Sequence, residues 1–177
     1  MRNTPEESLI RYTFIDSTIG RVLIAESARG VCAVLPGEND DTLTEDLRAR
    51  FPAVSMELVD SGVMTAAEDV RMQIDDPSSA RACALDLRGT PFQKQVWEAL
   101  LAVPSGATAS YTDLAERIGR PQSVRAVAQA CGANALAVLV PCHRAVRRDG
   151  GLSGYRWGVE RKRALLEREG ARPSPTN

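Results

Sequence analysis

The sequence predicts an α+β fold in two parts: a small α/β domain over residues 1–87 and a mostly helical domain over residues 88–170, with a flexible tail at 171–177. Three observations predict it. Short β-branched runs crowd the first half, and helix-start signals punctuate the second. The charge also changes sign between them. Residues 1–87 carry 8 basic and 16 acidic side chains, a balance of −8, while residues 88–177 carry 14 and 7, a balance of +7, within an overall −1. A chain of 177 residues has room for one domain or two small ones around a real core.

In the first half, Arg11 to Asp16 and Arg21 to Ala25 read as strands around the turn Asp16-Ser17-Thr18-Ile19-Gly20. Val31 to Leu35 is a third, stopped by Pro36-Gly37. Thr42-Leu43-Thr44-Glu45 reads as a capping box whose helix runs to Phe51, before Pro52. Thr65-Ala66-Ala67-Glu68 opens a second helix, Asp75-Asp76-Pro77-Ser78-Ser79 is a loop, and alternating Cys83, Leu85 and Leu87 give a last strand. The carboxylates here read as a solvated surface rather than catalytic pairs.

In the second half, Thr90-Pro91-Phe92-Gln93 supplies an N-cap, a proline at the first helical position and a capping-box glutamine. Phe92, Val96, Leu100 and Val103 line one face as far as Pro104. Ser110-Tyr111-Thr112-Asp113 caps the next helix, which ends at Gly119, and Pro121 begins a third that reaches Gly132. This pair matches a helix-turn-helix. Its second helix carries Arg125, Ala126, Ala128 and Gln129 among few large side chains, so it can approach a nucleic-acid groove closely while offering little base-specific readout. Alanine is also the best helix former, and packing against a neighbouring helix explains the same residues. Val159 to Glu169 closes the domain as an amphipathic stretch.

Hydrophobic residues at 44% and charged residues at 25% describe an ordinary soluble protein. No apolar run is long enough to span a membrane, and the first residues lack the apolar stretch of a signal peptide. Cys32, Cys83, Cys131 and Cys142 form no C-x-x-C pair, and with a single histidine no metal site is expected. That histidine stands in Pro141-Cys142-His143-Arg144, directly after the apolar run Ala135 to Val140. A thiol is a good nucleophile as its thiolate, and an adjacent imidazole or guanidinium lowers its pKa. On spacing alone the alternative stays open: a buried structural cysteine beside a solvated His-Arg pair. Twelve of the fourteen basic groups in the second half are arginines, which points to an anionic partner, nucleic acid foremost. Neutralisation of one half by the other is the competing explanation.

Residues 89–169 resemble the O6-alkylguanine-DNA alkyltransferases, and within them the C-terminal half of the bacterial Ada type. The resemblance runs through Phe92-Gln93, Val96-Trp97, Val103-Pro104, Ser110-Tyr111, Ile118-Gly119, Val124-Arg125-Ala126-Val127-Ala128, Asn134, Pro141-Cys142-His143-Arg144, Ser153-Gly154-Tyr155-Arg156-Trp157-Gly158, Arg161-Lys162 and Glu169. Gly20-Arg21, Ala25-Glu26-Ser27 and Phe51-Pro52-Ala53 extend it into the first half.

The resemblance implies an RNase H-like first domain with a short antiparallel sheet, and a winged helix-turn-helix in the second. It implies transfer of a methyl or small alkyl group from O6-alkylguanine, less well from O4-alkylthymine, in double-stranded DNA. Cys142 is the acceptor, in one irreversible turnover without a cofactor. His143 acts as base through a bridging water, Glu169 orients it, and Asn134 braces the turn before the nucleophile. Arg125 fills the stack vacated by the flipped base, and Tyr111 crowds the 3′ phosphate and contacts the guanine. Ala126, Ala128 and Gln129 face the minor groove. Pro141, Ala145, Tyr155, Arg156 and Trp157 form the pocket. Trp157, where part of the family has glycine, narrows it and predicts poor reaction with O6-benzylguanine. A cytoplasmic monomer without the zinc-binding regulatory half of Ada is expected, although an excised domain has the same sequence. Three rivals differ: a sensor of alkylated DNA, which lacks the cysteine; an operator-reading regulator, indifferent to Cys142; and a Cys-His hydrolase, which turns over.

Overall fold

The computed structural model describes residues 9–77, 79, 83–152 and 154–171. The chain divides into two compact units, residues 1–87 with 135–139 and residues 88–134 with 140–177. The run 135–139 therefore groups with the first unit, apart from the residues that flank it.

Strands β1 (Leu9–Ser17), β2 (Gly20–Ser27) and β3 (Gly30–Gly37) form an antiparallel meander, with Phe14 opposite Leu23 and Leu23 opposite Leu35. A fourth strand, β4 (Ser55–Leu58), pairs parallel to β1 and gives the order β3-β2-β1-β4. The sheet is thus mixed rather than antiparallel throughout. Sequence pattern missed β4 because a four-residue edge strand with mostly exposed side chains shows no apolar alternation. Val22–Ala25 and Val31–Leu35 are buried without a break, the mark of strands covered on both faces.

Two helices bury apolar stripes on this sheet. Helix α1 (Asp40–Arg50) seats Leu43 and Leu47 against β3, and α2 (Thr65–Asp75) seats Ala67, Val70 and Ile74 against β1. The cap of α1 is Asn39, whose side chain accepts from Thr42 N at 3.0 Å, so the helix starts a turn earlier than the Thr42 box implied. Thr65 lies inside α2, which has no side-chain cap. The strand expected at Cys83–Leu87 reduces to a single bridge between Leu85 and Val31. Gly30, at φ +140°, permits it: a Cβ there would collide with the Ala84 carbonyl, to which Val31 N donates at 2.8 Å. The surface carboxylates serve as ion-pair partners, Asp40 and Asp16 for Arg21 and Glu68 and Asp75 for Arg71. The expected loop's Ser78 lies outside the described residues.

The second unit begins with α3 (Pro91–Leu101). Its capping box is complete: Thr90 Oγ accepts from Gln93 N, and Gln93 Oε1 accepts from Thr90 N. Val96, Trp97 and Leu100 are its buried face, and Trp97 Nε1 donates to Ala130 O at 2.9 Å. Val103, expected on this helix, lies buried just beyond its end. A two-residue strand β5 (Ala109–Ser110) leads into α4 (Tyr111–Arg117), capped reciprocally by Ser110 and Asp113. Helix α5 (Val124–Gly132) starts three residues later than expected, because Pro121 to Ser123 form a turn in which Ser123 N donates to Arg120 O. The chain then passes through the 3₁₀ turn Cys142–Arg144 into β6 (Ala145–Val146), parallel to β5, and ends with α6 (Val159–Arg168). Val146, Leu152, Leu166 and Ala171 form one apolar cluster. Ala171 is thus packed and not part of a tail; residues 172–177, like Ser153, lie outside the described residues. Among the described residues no helix is long and apolar enough to cross a membrane.

Candidate active site

The 3₁₀ turn carries the single histidine and the nucleophile candidate on consecutive residues, and buries both. Helix α5 delivers Asn134 just past its end. There, 1% exposed, its Nδ2 donates to Val140 O at 3.0 Å and to Cys142 Sγ at 3.2 Å. One amide thus closes the excursion 135–139 and fixes the sulfur. Within that excursion Val138 sits at φ +69°, a strained conformation for a β-branched residue.

His143 and Glu169 meet across 26 residues, Nε2 to Oε1 at 2.9 Å, with side chains 0% and 3% exposed. Burial favours the neutral acid in Glu169. The hydrogen bonds from His143 and Arg144 overcome it and bring the pKa down to about 2. Arg144 donates to Glu169 through Nε (3.0 Å) and Nη2 (2.7 Å), and to Val103 O through Nη1 (2.6 Å). An ionised carboxylate only accepts, so His143 carries its hydrogen on Nε2 and presents a lone pair at Nδ1. That Nδ1 is buried with no hydrogen-bond partner among the described residues. Burial lowers the pKa of His143, so the ring is neutral and available as a base.

The cysteine corrects one expectation. Burial raises the Cys142 thiol to about 11, and the Asn134 hydrogen bond and the Lys162 charge only partly offset it. The adjacent His143 and Arg144 do not hold a resting thiolate, because one is neutral and the other is committed to Glu169. Nucleophilic attack by this sulfur would require the thiol to lose its proton first.

Tyr155 and Trp157 pack edge to face, with centroids 5.4 Å apart, and Tyr155 Oη and Trp157 Nε1 are buried with no hydrogen-bond partner among the described residues. Gly158, at φ +99°, turns the chain from them into α6. Pro141 and Ala145 are buried and Arg156 is exposed. Tyr111 is the first residue of α4, its hydroxyl raised to about 12 by burial. Arg125, Ala126 and Gln129 lie on the exposed face of α5, Ala128 is half-buried, and Val127, Ala130 and Cys131 form the inner face.

Two residues escaped the sequence reading. One is Arg144 as the partner of Glu169. The other is Lys162, 1% exposed, whose Nζ donates to Ala145 O. Its signal was present: Val159, Lys162, Leu165, Leu166 and Glu169 share one helical face, which puts a cation on an apolar stripe.

A family model described as "6-O-methylguanine DNA methyltransferase, DNA binding domain" matches residues 91–171. The O6-methylguanine methyltransferase of Mycobacterium tuberculosis, as a crystal structure, matches at TM-score 0.73 and 34% identity over 95% of this chain and 96% of that one. The chain belongs to the O6-methylguanine-DNA methyltransferase family. The M. tuberculosis member called OGT, solved in complex with DNA, matches at TM-score 0.75 and 36% identity over 90% and 92% of the two chains, so both share a mixed α+β fold with a small sheet. The Escherichia coli family member named bifunctional transcriptional activator/DNA repair enzyme Ada is 48% identical over 168 residues, 95% of this chain and 48% of that protein. The chain spans about half the length of the curated relatives it matches.

Proposed function

We propose that the chain repairs alkylated DNA by transferring a methyl or other small alkyl group from guanine O6, and less well from thymine O4, to Cys142 in a single irreversible turnover. One observation carries the reading. In a member of this family, a buried sulfur held by Asn134 lies next in sequence to a neutral histidine whose outer nitrogen is bound to an ionised glutamate.

His143 Nδ1 takes the thiol proton through a bridging water, and Glu169 stabilises the imidazolium that results. The S–C bond forms as the C–O6 bond breaks. One proton is returned to the released guanine, so charge balances. The thioether is not readily cleaved, so each molecule acts once and needs no cofactor.

The target atom is unreachable inside the stack, so the base must be swung out of the duplex. Helices α4 and α5, with β5 and β6, are read as a winged helix-turn-helix that enters the minor groove. Arg125 stands at the outer start of α5, where a planar cation can fill the gap, and Ala126, Ala128 and Gln129 let the helix approach. Tyr111 crowds the phosphate and meets the base. Tyr155, Trp157, Pro141, Ala145 and Arg156 shape the pocket, and its two buried donors without a partner among the described residues suit an acceptor-rich base edge. The first unit is read as RNase H-like support. The protein acts as a cytoplasmic monomer.

Incubation with a duplex containing O6-methylguanine, followed by intact and peptide mass measurement, tests this. One methylene per molecule on Cys142 and no second cycle is the expected result. A Cys142 that stays a free thiol while the lesion persists overturns it.

A further inference from the structure

The relay from Cys142 to His143 and Glu169 moves a proton, but it leaves open what holds negative charge on a buried sulfur. Sequence order nominates His143 and Arg144. The fold removes both: His143 is neutral, and Arg144 spends its guanidinium on both Glu169 oxygens and Val103 O. Arg161, one residue before Lys162, turns to Trp157 O at 3.0 Å. The remaining titratable groups at the sulfur are no source of positive charge either. Cys131, Tyr111 and Tyr155 are kept in their neutral, protonated forms by burial.

Lys162 is different. Its ammonium is buried, it has no carboxylate partner among the described residues, and it donates to the Ala145 carbonyl. It lies 6.0 Å from the ring centroids of both Tyr111 and Tyr155, so aromatic faces from two elements fix its position. A buried lysine without a counter-charge is costly to keep ionised, and burial lowers its pKa; negative charge on Cys142 or Cys131 favours the ammonium again. Such a group is retained where a negative charge develops nearby.

We propose that Lys162 is the fixed positive charge that stabilises the Cys142 sulfur as it becomes a thiolate, a positioning residue supplied by α6 rather than by the Pro-Cys-His-Arg motif. This rests on the repair function proposed above. Lys162 keeps its proton throughout: the thiol proton goes to His143, sulfur takes the alkyl carbon, and the positive charge sees a thiolate appear and then vanish.

The test uses the full chain and Lys162→Met, a change that removes the charge and keeps an apolar stem of similar length. Iodoacetamide modification of Cys142, followed by peptide mass across pH without DNA, reads the thiolate directly. Single-turnover methyl transfer across pH reads it in the reaction. The midpoint for iodoacetamide is expected to rise by about one pH unit or more in Lys162→Met, and the transfer profile to move with it. A midpoint that stays in place, with transfer slowed equally at every pH, overturns the proposal and leaves Lys162 a packing residue. If the variant fails to fold, the wild-type protein still decides. The side-chain nitrogen resonance of Lys162 should shift as Cys142 ionises and lose that step once Cys142 is capped by iodoacetamide; a resonance blind to Cys142 overturns the coupling. A protein that shows the iodoacetamide shift but takes no methyl from DNA would overturn the repair reading alone.

Discussion

Glu169 Oε1 lies 2.9 Å from His143 Nε2 and 2.7 Å from Arg144 Nη2, so one carboxylate at the end of α6 binds the two residues that follow Cys142. It sets the tautomer of His143 and also holds the Arg144 guanidinium. Glu169→Ala leaves an arginine and a histidine nitrogen buried without their partner. Loss of stability on the order of 3 kcal/mol is expected from urea denaturation. Glu169→Gln keeps the shape but replaces the anion, and should slow methyl transfer more than it destabilises the fold.

Asn134→Ala deletes the donor shared by Val140 O and Cys142 Sγ. The buried Val140 carbonyl keeps the bond it accepts from Cys142 N, so losing the Asn134 donor costs about 1 kcal/mol. Burial of the thiol is then less opposed, so the Cys142 midpoint for iodoacetamide should rise. An unchanged midpoint would show that this hydrogen bond does not help hold the sulfur's charge.

Stability should decline toward both ends of the pH range. Burial of His143 and the ion pairs of Glu169 lower both pKa values below their unfolded values, so the unfolded chain binds more protons. Stability is therefore lost as pH falls, first below the ordinary histidine range and then toward about 2, where Glu169 is protonated. Cys142 and Cys131, raised by burial to about 11 and about 12, act in the opposite sense: stability is present below the ordinary thiol range and lost as pH rises through these values. Thermal melts across pH check both limbs, and Glu169→Gln should flatten the most acidic one.

Trp157 is 8% exposed and packs on Tyr155. Its bulk predicts slow reaction of the wild-type protein with O6-benzylguanine and a gain of about tenfold or more in Trp157→Gly, read as benzyl incorporation into Cys142. Rapid benzyl transfer to the wild-type protein contradicts this.

Arg125 lies on the outer face of α5. Arg125→Ala should slow transfer from duplex DNA far more than from a free base, because only the duplex requires a base to be extruded and its gap filled. Equal slowing on both substrates would remove Arg125 from that role. Binding should weaken with salt and vary little with sequence.

Local chemistry made much of this legible. The boxes at Thr90 and Ser110, the three-strand meander and the Pro-Cys-His-Arg motif are written in neighbouring residues, and the structure carries each of them. Features that depend on distant partners were not. β4 exists because it pairs with β1, and Leu85 bridges Val31 only because Gly30 lacks a side chain. The family resemblance, not the pattern, singled out Glu169.

The sequence by itself determined which residue is the nucleophile candidate, which histidine stands beside it and where α3 and α4 start, because motifs and caps act over a few residues. Only the tertiary structure decided which charges reach the sulfur. Burial sets the cost of each ion, and folding assigns Arg144 to Glu169 and brings Lys162 from α6 to the Ala145 carbonyl, so adjacency in the chain is a poor guide to electrostatic neighbours.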